Sequence, residues 1–206
     1  MTLVLRINGT KQDEAIDKAV EELRKGKTVV YPTETSYGIG ASIQSEKAVQ
    51  RIKEIKSRRD GKPFLMLVAD REMIEKYGVL DKDAEKLLEH FKHGRLSMIV
   101  EKKDTLPAWV SSSEGVGFRI ARHDIARALC ERLGEPIITT SANLYGYDPC
   151  YTGEHAVEVF DGIADVIIDA GELKERPNTT IFDVKGRKIC RQGEVTLDEI
   201  MAVLEE

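Results

Sequence analysis

The sequence predicts an α/β fold, a twisted mixed parallel/antiparallel sheet with flanking helices, and three observations predict it. Runs rich in Val, Ile and Thr alternate with amphipathic segments of helical period along most of the 206 residues. Strands separated by a helix need a crossover and tend to run parallel. The stretch from Thr180 to Arg191, turning through Lys185-Gly186, instead reads as an antiparallel hairpin, so both strand directions occur.

The elements follow in order. Thr10 with Asp13 resembles a capping box, Ile16, Ala19, Val20 and Leu23 form an apolar stripe, and Gly26 supplies the helix stop. A strand at Thr28 to Tyr31 precedes a second around Gly38 to Ile43. Ser45 then caps a helix that buries Ala48, Val49, Ile52 and Ile55. Pro63 opens a strand, Phe64 to Val68, followed by helices at Met73 to Tyr77 and Ala84 to Phe91. Strands at Ser97 to Glu101 and Val116 to Ala121 lead into a helix, Asp124 to Leu133, stopped by Gly134, and then the strand Ile137 to Thr140. The last third offers a helix at Glu154 to Phe160, strands at Val166 to Asp169, Thr180 to Val184 and Lys188 to Arg191, and a helix from Leu197.

No Ser/Gly/Pro-rich or low-complexity stretch divides the chain, so residues 1–206 read as one domain. With 41% hydrophobic and 33% charged residues it can bury a sizeable core. Its apolar runs fall far short of the roughly 20 residues of a membrane span, and a cytoplasmic protein is expected. Three cysteines without CxxC spacing argue against a disulfide framework or a zinc site. A net charge of -5 excludes a protein that grips nucleic acid with its whole surface, although Arg51, Lys53, Lys56, Arg58, Arg59 and Lys62 form a local basic run.

Chemistry concentrates in a few polar words. Tyr31 to Gly40, YPTETSYGIG, strings hydroxyls, one carboxylate and two glycines across strands where packing alone favours Val or Ile. Lys56 and Arg58 stand at a helix C-terminus with Lys62 in the following loop, and the three can converge on a polyanion such as triphosphate; cations there also simply cap a helix. Ser141-Ala142-Asn143 follows Thr139 and Thr140 at a strand end, a run of donors suited to phosphate, ribose or carboxylate, or to an ordinary Asx turn. The Lys56-Ser57-Arg58 and Ser141-Ala142-Asn143 words read as opposing jaws of one anion cleft. Arg119, inside the apolar strand VGFRIA, needs either a substrate carboxylate or an ion pair with Glu34 or Asp183. Glu34 in turn suits magnesium or an ion pair. His90 and His93 lack a third metal ligand, and neither a GxxxxGK[ST] loop nor a nucleophile elbow is present, so an ATP site would be non-standard.

Taken in order, YPTETSYGIG, KSRRDGKP, GFRIARH, LGEPIITTSAN, PNTTIFD and the late RQG resemble the YrdC/YciO family from about Ala15 to Gly193. The resemblance implies a concave, basic cleft and a reaction taking L-threonine, bicarbonate and ATP to threonylcarbamoyl-adenylate and pyrophosphate, with Mg2+ in support. It further implies hand-over to a complex that modifies adenosine 37 of tRNA. Matched by motif, Lys56, Arg58, Lys62, Ser141, Asn143 and Arg191 would bind ATP, with Lys56 and Arg58 catalytic, and Thr35, Arg119, Thr139 and Thr179 would bind threonine. The YciO branch implies an alternative, a protein that binds double-stranded RNA or tRNA with little or no synthase activity. Two segments depart from the family pattern: Phe91 to Ser97 lacks the two prolines of a WPGPLT-like turn, and the serine of the SGxxSPT pattern after Asn143 is missing.

Overall fold

The computed structural model describes residues 1–7, 11–57, 64–91, 94–111, 113, 115–174 and 176–205. Its elements are β1 (Leu3–Arg6), α1 (Gln12–Arg24), β2 (Val29–Pro32), β3 (Tyr37–Ser42), α2 (Glu46–Ile55) and β4 (Leu65–Val68). There follow α3 (Arg71–Tyr77), α4 (Lys82–His90), β5 (Leu96–Glu101), β6 (Gly115–Ile120), α5 (Asp124–Leu133) and β7 (Ile137–Ser141). The chain continues through α6 (Gly153–Phe160), β8 (Val166–Asp169), β9 (Thr180–Asp183), β10 (Lys188–Arg191) and α7 (Leu197–Glu205).

Burial, more than capping, holds the helices. In α2 the Ser45 hydroxyl accepts from the Ala48 amide at 3.3 Å, a contact worth about 1 kcal/mol. Burying Val49 and Ile52 completely contributes about 1.5–3 kcal/mol each, so the apolar stripe dominates. The capping box expected for α1 is not what starts that helix: its N-cap is Lys11, with no side-chain cap bond, and Thr10 lies outside the described residues. The stripe through Ile16, Ala19, Val20 and Leu23 is nonetheless buried and carries the helix. Gly134 ends α5 at φ +80°, the left-handed region where a glycine has no Cβ to clash.

The strands form one mixed sheet in the order β1-β8-β2-β3-β7-β4-β6-β5-β9-β10. β1, absent from the sequence reading, pairs in parallel with β8 alone at one edge. It is short and only partly buried, which is why it left little periodic signal. The hairpin of β9 and β10 is antiparallel as expected, with an irregularity between Ile189 and Arg191, while β9 runs parallel to β5. On the central strands, β2 and β3 are buried at every position. α1 and α5 pack on each other and against β2, and α5 also meets β4. The fully buried Cys130 thiol on α5 donates to the Leu67 carbonyl at 3.4 Å, and burial pushes its pKa up.

Cross-strand register sets what shares a face with what. Gly40 lies opposite Thr139, Thr139 opposite Leu65, Leu65 opposite Gly117, and Gly117 opposite Ile99. Directly paired residues project to the same side, so this row marks one continuous strip across five strands. Its members Thr139, Leu65, Gly117 and Ile99 line the floor of the cavity described next.

Candidate functional site

Glycines open the floor. Tyr31 on β2 reaches past β3 and donates its hydroxyl to Thr139 Oγ1 on β7 at 2.7 Å. It can do so because Gly38 and Gly40 present no side chain: a Cβ on Gly40 would stand 3.1 Å from the Tyr31 ring and 2.5 Å from the Ile138 carbonyl. Over this strip lies a cavity of about 530 Å³, lined in part by Thr35, Arg119, Thr139, Ser141, Asn178 and Arg191. Those residues come from a turn, three strands and a loop, brought together by the strand order.

The turn between β2 and β3 is locked by its own hydroxyls. Thr33 Oγ1 donates to the Ser36 carbonyl at 2.7 Å and accepts from the Thr35 amide at 3.3 Å, while the Thr33 amide donates to the same Ser36 carbonyl. This geometry holds Thr35 toward the cavity and carries Glu34 to Arg119. Arg119 Nε donates to Glu34 Oε1 at 2.8 Å, and Nη2 donates to the same oxygen. Of the two partners open to Arg119 in the sequence, Glu34 is therefore the one used; Asp183 sits near Lys188 and accepts from the Gly186 amide.

The two words expected to face each other form one wall instead. Lys56 Nζ donates to the Ser141 carbonyl at 3.0 Å, the Asn143 carbonyl at 2.8 Å and Asn143 Oδ1 at 2.6 Å. An ammonium has three protons, and these acceptors match them. Ser141 Oγ also donates to Asn143 Oδ1, at 2.6 Å. The reading of opposed jaws is corrected accordingly: the end of α2 and the end of β7 are stitched together, because a cation beside three oxygens is attracted before any ligand arrives. Arg58 and Lys62 lie outside the described residues.

On the far side Arg191 folds back from β10. Its Nη2 donates to the Thr179 carbonyl at 3.0 Å and to Thr179 Oγ1 at 3.2 Å, and buried Thr179 shares a further hydroxyl contact with Ser97 at 3.0 Å. Thr179 and Arg191, expected to serve different substrates, are thus a single unit. Arg191 is exposed as a residue, yet its guanidinium end is drawn in: desolvation, and then the nearby Arg119 charge, hold its pKa below the usual arginine range. No carboxylate among the described residues forms an ion pair with Arg191. A cavity with this cation on one wall favours an anion.

The structure therefore gathers Thr35, Arg119, Thr139, Ser141 and Arg191 around one cavity, with Thr179 behind Arg191 and with Lys56 and Asn143 behind Ser141. Sequence reasoning did not single out Asn178, Ser36 or Pro149, which also line it. Asn178 sits in PNTTIFD, where its neighbour Thr179 drew the attention. Among the described residues no group of three or more His, Cys, Asp or Glu could hold a metal ion, and Glu34 is committed to Arg119. The donors among the described residues thus form no protein cage for Mg2+. No helix among the described residues is long and apolar enough to cross a membrane.

The sequence matches a known family model, Sua5/YciO/YrdC, described as "Telomere recombination", over residues 21–193. The chain belongs to this family. Among its members, the threonylcarbamoyl-AMP synthase of Pyrococcus abyssi is 32% identical over the whole chain, which spans 62% of that longer relative. The threonylcarbamoyl-AMP synthase of Shigella boydii is 30% identical over 91% of the chain and all of its own length. In three dimensions, P. abyssi Sua5 complexed with L-threonine superposes at a TM-score of 0.87 with 31% identity, covering 99% of the chain and 61% of that protein. E. coli YciO superposes at 0.85 with 27% identity, covering 97% and 98%. The family's mixed open sheet is thus the fold found here.

Proposed function

We propose that this chain is a transferase of the nucleotidyltransferase kind, an L-threonylcarbamoyladenylate synthase, acting as one domain on L-threonine, bicarbonate and ATP. The observation that carries the reading is a cavity that has hydroxyls on its floor and two arginines on its walls, in a family whose members include named threonylcarbamoyl-AMP synthases and one solved with L-threonine. Threonine carries a carboxylate, a hydroxyl and an amine. Arg119, with Thr35 and Thr139 beside it, offers matching donors, and the ATP phosphates would lie toward Ser141, the Lys56–Asn143 wall and Arg191, with Lys62 a further phosphate ligand by its motif.

The chemistry needs no covalent nucleophile. The threonine amine takes up CO2 derived from bicarbonate and releases a proton, giving a carbamate. A carbamate oxygen attacks the α-phosphorus, the bond to the β-phosphate oxygen breaks, and pyrophosphate leaves. Holding two substrates in line supplies much of the acceleration, and fixed cations offset the charge that builds on the phosphate oxygens. Lys56 acts here by shaping the loop at Ser141 and Asn143, and Arg58 by meeting phosphate directly. Magnesium, where present, would enter with the triphosphate as part of the substrate. The product would pass in the cytoplasm to a tRNA-modifying complex acting at adenosine 37.

Pyrophosphate release measured with and without L-threonine and bicarbonate tests this reading, together with Arg58→Ala. Release should require both co-substrates and fall about a hundredfold or more in the variant. Release indifferent to threonine sinks the assignment. Salt-sensitive binding of double-stranded RNA or tRNA without turnover would favour the RNA-binding role instead.

A further inference from the structure

The Glu34–Arg119 pair has an unusual form. Two Arg119 nitrogens, Nε and Nη2, converge on one oxygen, Oε1. The other oxygen, Oε2, is buried and has no hydrogen-bond partner among the described residues. A pair built only to neutralise a buried cation would engage both oxygens in the parallel two-bond geometry that guanidinium and carboxylate favour. An orphaned buried carboxylate oxygen is costly, so something other than pairing strength fixes where this carboxylate sits.

Its seat is visible. On one side the hydroxyl-locked turn of Thr33 to Ser36 fixes the Glu34 backbone. On the other, Gly94 at φ +73° leaves a gap: a Cβ there would stand 2.8 Å from Glu34 Oε1 and 2.8 Å from the Ile120 carbonyl. Gly94 belongs to the Phe91 to Ser97 stretch of sequence that departs from the family pattern and keeps its glycine. Between these walls the carboxylate holds one edge of the Arg119 guanidinium, and no described residue accepts from Nη1. Arg119 itself lines the cavity.

Resting on the function proposed above, we propose that Glu34, seated by Gly94, is a positioning residue that fixes which edge of Arg119 meets the amino-acid carboxylate and so aims the amine at the reacting phosphate. Its role is orientation more than attraction. A second carboxylate beside Arg119 repels the substrate carboxylate slightly, so removing its charge does not weaken binding, but it frees the guanidinium to turn.

The test is Glu34→Gln, with steady-state kinetics for both substrates, calorimetric binding of L-threonine and thermal melting. The dissociation constant for threonine and the KM for ATP should stay within about threefold while kcat falls about a hundredfold, the scale of an ångström misplacement. Gly94→Ala, which presses on the same oxygen, should give the same split, and it carries the test if Glu34→Gln does not fold. A kcat within about threefold of wild type in both variants overturns the inference, as does a parallel loss of kcat, both affinities and melting temperature, which marks a merely structural pair. Should the wild-type protein itself show no threonine-dependent pyrophosphate release, the proposed function fails and this inference falls with it; an active wild type with unchanged variants sinks the inference alone.

Discussion

Lys56 donates to the side-chain oxygen of Asn143 at 2.6 Å and to its carbonyl at 2.8 Å, joining the end of α2 to the loop after β7 across 87 residues of sequence. The contact makes a residue type usually read as a phosphate ligand into part of the scaffold. Lys56→Ala should therefore lower stability by about 1–3 kcal/mol, by leaving several carbonyl and amide oxygens short of a donor, as well as reducing turnover. Urea unfolding checks this; a variant as stable as wild type would return Lys56 to a ligand-only role.

Arg191 makes the opposite case. It is exposed, bonded only to Thr179 and free of any ion pair among the described residues, so the fold gains little from its charge. Arg191→Leu should cost about 1 kcal/mol, because the buried Thr179 carbonyl loses its donor, and cut pyrophosphate release about a hundredfold. Arg191→Lys should rescue little of that loss, because an ammonium cannot reproduce the fork that a phosphate or carboxylate accepts. Full activity in the leucine variant would remove Arg191 from the site.

These two residues show how far the sequence could be read. Elements with strong local signals, the α1 stripe, the Gly134 stop and the β9–β10 hairpin, were legible because their causes lie within a dozen residues. The edge strand β1 was not, since its only partner, β8, lies some 160 residues away and burial there is partial. The site words were recognisable as polar chemistry out of place, and Arg119 was recognisable as a charge in need of a partner. Which partner it takes, and that Lys56 bonds the other word, depend on strand order and register, which no local pattern encodes.

Gly40 is closely confined between β3 and β7. A methyl group there would stand 2.5 Å from the Ile138 carbonyl and 2.6 Å from Ile137 Cγ2, and backbone cannot yield as a flexible side chain can. Gly40→Ala should destabilise by about 1–3 kcal/mol, by overpacking between β3 and β7. A shift in urea midpoint at unchanged slope checks it; an unchanged midpoint would mean the strands part without cost.

Tyr37 gives a pH signature. Its hydroxyl donates to the Gly171 carbonyl at 2.8 Å and accepts from the Ala170 amide at 3.0 Å, and burial pushes its pKa up to about 12. A folded pKa above the unfolded value near 10 means a contribution present below about pH 10 and lost as pH rises toward 12. Tyr37→Phe should flatten that part of the alkaline stability profile while costing about 1 kcal/mol at neutral pH. Identical alkaline profiles would show that Tyr37 ionises as freely folded as unfolded.

The most direct measurement of the central claim is mass spectrometry of the product formed from ATP, L-threonine and carbon-13 bicarbonate. The site predicts an adenylate that carries both the threonine mass and the labelled carbon, formed together with pyrophosphate. An adenylate without the label, or no adenylate at all under conditions where the folded protein binds threonine, would contradict it.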